Sequence, residues 1–175
     1  NTAGERVWLK RRFKEYKIDD GDLSKLKMRM DIIPVSIAIA QAANESGWGT
    51  SRFALEGNAL FGQWTWSKKG ISPKNQDPNK THKVLQFQVL KASVRAYKNN
   101  LNTHNAYQEF REARAQSRQE NKKIIGLELT KYLKNYAGIG EKYVEILDAI
   151  ITRNSLTDFD KAVLLPTKLK KGVDL

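Results

Sequence analysis

The chain contains no cysteine. That single absence excludes disulfides, thiolate nucleophiles and Cys-ligated zinc together, and it fits any redox compartment. Histidine is almost as scarce. His82 and His104 are the only two, and neither sits in a metal-binding spacing. No metal and no cofactor is therefore expected. No uninterrupted apolar run approaches the roughly 20 residues that a spanning helix needs, so no stable membrane insertion is expected either. Acidic residues are thin in one region: between residues 58 and 108 only Asp77 is acidic. Internal repeats and low-complexity tracts are missing as well.

What is present fits one domain with short additions. The 175 residues are 40% hydrophobic and 29% charged, which suits neither a membrane-embedded nor a disordered chain. The net charge of +12 implies an anionic partner or neighbourhood. Much of the excess lies at the ends, in Lys10, Arg11, Arg12, Lys14 and Lys17 and again in Lys168, Lys170 and Lys171. These clusters fit a solvated basic surface or a functional patch. No helix-turn-helix, zinc spacing or other nucleic-acid signature accompanies them, so nucleic acid is not the expected partner.

Apolar spacing predicts a mostly helical chain. Residues 5–17 read as a basic helix that packs its aromatic side on the domain, and 19–22 (DDGD) as a turn. Residues 35–46, rich in Ala and aliphatics, predict a helix buried nearly all round, with Pro34 near its start and Gly47 as its stop. A short helix is expected at 51–56. Helical periodicity then disappears over 60–88, where glycines, prolines and three aromatics (Phe61, Trp64 and Trp66) cluster. Weak alternation from Thr81 to Phe87 suits a strand in a small β lobe. Further helices are expected at about 91–103, 106–119, 124–134 and 140–153, with a loose tail beyond Asn154. The division expected is a basic helix over 1–23, a domain over 24–155 and a tail over 156–175.

Glu45 is the anomaly in this pattern. It ends a helix that otherwise reads as core, and glutamate is almost never fully buried unless it is paired or used. Apolar surroundings disfavour its charged form, and so does the negative end of a helix dipole. Trp48, Phe53, Phe61 and Trp64 are near enough in sequence to exclude water. A carboxyl kept protonated is what a general acid needs to protonate a glycosidic oxygen. The structural alternative is an ion pair with Arg52 or Arg95.

The words around Glu45 favour the first reading. Residues 40–53 (AQAANESGWGTSRF), followed by Asn58-Ala59-Leu60-Phe61-Gly62, resemble the signature of bacterial wall glucosaminidases of glycoside hydrolase family 73, closest to the branch of Bax-type proteins. The pattern continues in Gly62-Gln63-Trp64, Ser93-Val94-Arg95-Ala96-Tyr97, residues 100–104 (NLNTH) and Tyr143-Val144. It covers about residues 30–154. The resemblance implies an α+β, predominantly α, lysozyme-like fold: a helical lobe around one buried central helix, plus a small β lobe. It implies a peptidoglycan hydrolase that cleaves the glycosidic bond after N-acetylglucosamine, with Glu45 as general acid. It also implies a site tyrosine, which maps onto Tyr136, with Tyr143 as second choice; for Tyr143, packing in the core of the last helix is the favoured reading.

One departure matters. Many relatives carry a second carboxylate in the β lobe, and here Asp77 is the sole acidic candidate, in a turn-like segment. Asp77 as general base, attack by the substrate's own acetamido group with Tyr136 orienting it, and loss of hydrolysis with retained glycan binding all remain open, with substrate assistance ranked first. Trp64 and Trp66 are candidates to stack on sugars, and Asn58 and Gln63 to hydrogen-bond acetamido groups. His82 and the lysines Lys68, Lys69 and Lys74 are further groove candidates. A lytic transglycosylase or muramidase of the same fold is the alternative enzyme. The expected setting is periplasmic or at the cell surface, as a monomer acting on peptidoglycan glycan strands.

Overall fold

The computed structural model describes residues 2–65, 70–72 and 83–163. Among them the chain is predominantly helical, with one small sheet, as a lysozyme-like α+β domain requires. The helices are α1 (Ala3–Glu15), α2 (Leu23–Arg29), α3 (Val35–Ser46), α4 (Arg52–Gly57), α5 (Leu90–Thr103), α6 (Gln108–Gln119), α7 (Gly126–Leu129) and α8 (Glu141–Arg153). The strands are β1 (Trp64–Thr65), β2 (Gly70–Ile71) and β3 (Lys83–Leu85). β3 lies in the centre and pairs antiparallel with both others, Trp64 facing Val84 and Gly70 facing Leu85. No helix among the described residues is long and apolar enough to cross a membrane.

The core forms around α3. Ile37 and Ala40 are fully buried against Tyr97 and Leu101 of α5, Phe110 of α6, and Tyr143, Leu147 and Ile151 of α8. Fully burying a side chain such as Ile or Leu contributes about 1.5–3 kcal/mol, so this cluster supplies much of the drive to fold. α3 is not buried all round, however. Val35 at its start and Asn44 near its end are exposed, and Glu45 is half-buried. The helix therefore opens to the surface where its carboxylate sits.

Both ends of α3 are pinned. Pro34 cannot cap with a side chain, and the job passes to a residue far along the chain. Asp160 accepts from the Ser36 amide (2.9 Å), the Ser36 hydroxyl (2.9 Å) and the Gly126 amide (2.8 Å). The segment expected as a loose tail opens instead with the 3-10 helix Leu156–Lys161, which carries this aspartate and buries Leu156. At the other end Gly47 takes a left-handed conformation (φ 57°), and the Trp48 amide bonds back to the Ala43 carbonyl at 2.8 Å.

Three further differences from expectation concern α7, α2 and α1. The helix expected over 124–134 splits into α7 and the 3-10 helix Thr130–Tyr136. Gly126 lies so close to α3 that a Cβ there would come within 2.0 Å of the Ser36 hydroxyl, and that approach fixes where α7 begins. α2 was not expected; Asp22, read as part of a turn, caps it by accepting from the amides of Ser24 (2.7 Å) and Lys25 (3.2 Å). α1 packs only through its second half, with Leu9 and Phe13 against Tyr16, Ile18 and Leu26, while Val7 and Trp8 stay exposed.

Candidate active site

Glu45 sits on the last turn of α3, and the sequence after it builds a tight turn. Ser46 donates to the Ala42 carbonyl (2.5 Å) and accepts from the Gly49 amide (2.7 Å), while Thr50 donates to the Gly47 carbonyl (2.6 Å). Gly47, Trp48 and Gly49 all have positive φ. That conformation is unfavourable for a bulky residue, yet Trp48 adopts it and leaves its indole 62% exposed beside Glu45 in sequence. The chain then enters α4, with the Ser51 hydroxyl accepting from the Ala54 amide.

The second motif segment crosses Glu45 directly. Asn58 ends α4 in a left-handed conformation, and its amide donates to the Phe87 carbonyl at 3.0 Å. Phe61 is buried and stacks on Tyr97, with ring centroids 3.8 Å apart. Gly62 then passes so close that a Cβ would lie 3.2 Å from Oε2 of Glu45, at a φ of +57° that already favours glycine. The two halves of the motif therefore need each other: the first presents a carboxylate and the second leaves room for it.

A tyrosine cluster closes the inner side. Tyr143 of α8 is fully buried and donates its hydroxyl to Oε1 of Glu45 at 3.0 Å. Asn44 donates to the same oxygen at 3.2 Å. Tyr136 stacks on Tyr143 at 5.6 Å and donates to the Phe61 carbonyl at 3.0 Å. Tyr107 lies against Tyr136 at 6.0 Å. Behind them, Gln41 donates to the Tyr143 oxygen (2.9 Å) and accepts from the Tyr97 hydroxyl (2.7 Å). Burial pushes the phenols of Tyr97, Tyr136 and Tyr143 well above their ordinary range, and for Tyr136 and Tyr143 the Glu45 charge adds to the effect. All three keep their protons and act as donors.

Of the residues expected at the site, Glu45, Tyr136 and Tyr143 come together, and Tyr143 rather than Tyr136 is the one that touches the carboxylate. Neither Arg52 nor Arg95 pairs with Glu45. Arg52 donates to the Ser72 carbonyl and reaches Glu56 at 3.5 Å, while Arg95 faces a groove beside α1. Asn58 spends its amide nitrogen on Phe87. Gln63 is half-buried, and its side-chain oxygen is itself buried with no hydrogen-bond partner among the described residues. Trp64 contributes its backbone to β1, but its side chain, like the whole of Trp66, Asp77 and His82, and of Lys68, Lys69 and Lys74, lies outside the described residues. Gln41 and Tyr97 lie in segments that the sequence reading marks, but neither is expected from the sequence as a site residue. An internal glutamine on an otherwise apolar helix face was the available signal. Among the described residues no group of three or more His, Cys, Asp or Glu could hold a metal ion.

The model of a family described as mannosyl-glycoprotein endo-beta-N-acetylglucosaminidase matches residues 22–156. The chain belongs to this glucosaminidase family. The match takes in α2 to α8 and the sheet and leaves α1 outside it. Protein bax of Escherichia coli (strain K12) is 38% identical over 159 residues, covering 87% of this chain and 57% of that protein. The chain thus spans a little more than half the length of this relative. No solved structure matches. Membership in the glucosaminidase family supports a glycoside hydrolase of the endo-beta-N-acetylglucosaminidase type, acting on a glycan.

Proposed function

We propose that this glucosaminidase cleaves the bond after N-acetylglucosamine in bacterial peptidoglycan, outside the cytoplasm, with Glu45 as its general acid. The observation that carries this reading is the setting of Glu45. It is a half-buried carboxylate with no salt-bridge partner among the described residues, held by two hydrogen bonds on one oxygen. A structural glutamate in that position would be expected to meet a cation. An acid that must give up a proton is better held by neutral donors on one side and left free on the other.

The sequence offers no second carboxylate between residues 58 and 108 except Asp77. The reaction that needs fewest additional groups is substrate-assisted. The acetamido oxygen of the N-acetylglucosamine unit bonds to its own anomeric carbon while the bond to the leaving oxygen breaks. Glu45 gives its proton to that oxygen. Water then opens the cyclic intermediate and returns a proton to Glu45. Tyr136 lines the same cluster and would orient the acetamido group. Gln63 follows Gly62 in the chain and would be a further contact for the acetamido group. Trp48, with Trp64 and Trp66, would give sugar faces something to stack on.

The test is mass spectrometry of wall fragments after digestion. Reducing N-acetylglucosamine ends support the assignment. Anhydro-muramyl ends would replace it with a lytic transglycosylase, and reducing muramic acid ends with a muramidase.

A further inference from the structure

We propose that Gln41 and Tyr97 are positioning residues for Glu45: with Tyr143 they form a one-way hydrogen-bond relay that holds Oε1 as the accepting oxygen and leaves the reactive proton on Oε2. The proposal rests on the reading of Glu45 as the general acid, and it names groups outside that reading.

The direction of the relay follows from counting protons. An ionised carboxylate only accepts, so the single Tyr143 hydrogen points to Glu45 across their 3.0 Å contact. The Tyr143 oxygen must then accept from behind, which makes the Gln41 amide present its nitrogen there, at 2.9 Å. The other end of that amide is an acceptor, and Tyr97 fills it with its hydroxyl at 2.7 Å. Turning any one group round would set two donors or two acceptors face to face. Gln41, Tyr97 and Tyr143 are 0%, 1% and 0% exposed, so water does not offer an alternative partner. Neighbouring bonds in such a buried chain strengthen one another.

The two oxygens of Glu45 therefore differ. Oε1 is occupied by Tyr143 and Asn44. Oε2 lies against the backbone of Gly62, and no hydrogen bond to it is formed among the described residues. A proton taken up by Glu45 goes to the oxygen that has no donor already, and that oxygen lies on the Gly62 side. The titratable groups facing Glu45 among the described residues are Tyr143 from α8, Tyr136 from the 3-10 helix before it and Tyr107 from the turn before α6. All are neutral donors, so no charged neighbour overrides the relay.

The experiment uses the full chain and three variants: Tyr97→Phe, Gln41→Met and Gln41→Glu. Tyr97→Phe keeps the ring stacked on Phe61 and removes only the hydroxyl. The carbon-13 signal of the Glu45 carboxyl is titrated in each, alongside kcat and KM on wall glycan. Each variant weakens donation to the carboxylate, so the Glu45 midpoint is expected to move up. We expect kcat to fall about two- to tenfold in Tyr97→Phe and about ten- to a hundredfold in Gln41→Met, with KM little changed. In Gln41→Glu an ionised side chain would draw the Tyr143 hydrogen away, whereas a protonated one donates as the amide did. Its deficit against the parent should therefore shrink as pH falls. An unmoved midpoint in Tyr97→Phe, or a Gln41→Glu deficit that does not depend on pH, overturns the relay. If the parent protein releases no fragments while the midpoints still move, the relay stands and the hydrolase reading falls.

Discussion

Tyr143→Phe is the most informative single change at this site. It deletes one oxygen that joins Gln41 at 2.9 Å and Glu45 at 3.0 Å, and it keeps the ring stacked on Tyr136. Two costs follow. The Gln41 amide loses its acceptor in a fully buried place, which costs about 1–3 kcal/mol of stability. A domain of this size loses about 2–4 °C in Tm per kcal/mol, so a drop of roughly 3–10 °C is expected by thermal denaturation. Glu45 also loses a charge-assisted bond worth about 1.5–3 kcal/mol to its ionised form. Donation to a carboxylate favours ionisation, so its removal favours the protonated acid. The alkaline limb of the pH–rate profile should therefore move up. The assay is kcat/KM on wall glycan across pH, with melting curves on the same samples. A limb that stays put or moves down, with Tm unchanged, would refute the view that Tyr143 acts on Glu45.

Other changes probe the frame around that pair. Gly62→Ala sets a methyl 3.2 Å from Oε2 in a left-handed backbone, and it should cut kcat at least about tenfold while costing about 1–2 kcal/mol in urea denaturation. Trp48→Ala should raise KM for wall glycan severalfold and leave folding intact, since the indole is largely exposed; fluorescence-monitored glycan binding checks it. Asp160→Ala removes the acceptor for three donors at the start of α3, and it should lower stability by about 2–3 kcal/mol, or roughly 5–10 °C by calorimetry, far from the site.

The parts of the fold legible in the sequence are those set by local rules. α3 declared itself through its apolar run and through Gly47, and α5 and α8 through helical spacing of Val94, Tyr97 and Leu101 and of Tyr143, Ile146, Leu147, Ile150 and Ile151. The site was legible as far as its two motif segments reached. That Gly62 crosses Glu45 explains why those segments occur together, but spacing alone did not show it. The rest depends on contacts between residues far apart in the chain. Gln41 meets Tyr143 across 102 positions and Tyr97 across 56, and Asp160 meets Ser36 across 124. No periodicity carries such pairings. The start of α7 has the same origin, in the approach of Gly126 to α3.

In the proposed reaction Glu45 gives its proton to the glycosidic oxygen. Glu45→Gln keeps the shape and one acceptor and removes the acid, so it tests this most directly. Purified wall is incubated with the parent protein and with the variant, and release of reducing N-acetylglucosamine ends is measured over time. Release by the parent is expected, with a fall of at least about a thousandfold in the variant and glycan binding retained. Equal release by both, or none by the folded parent, would contradict it.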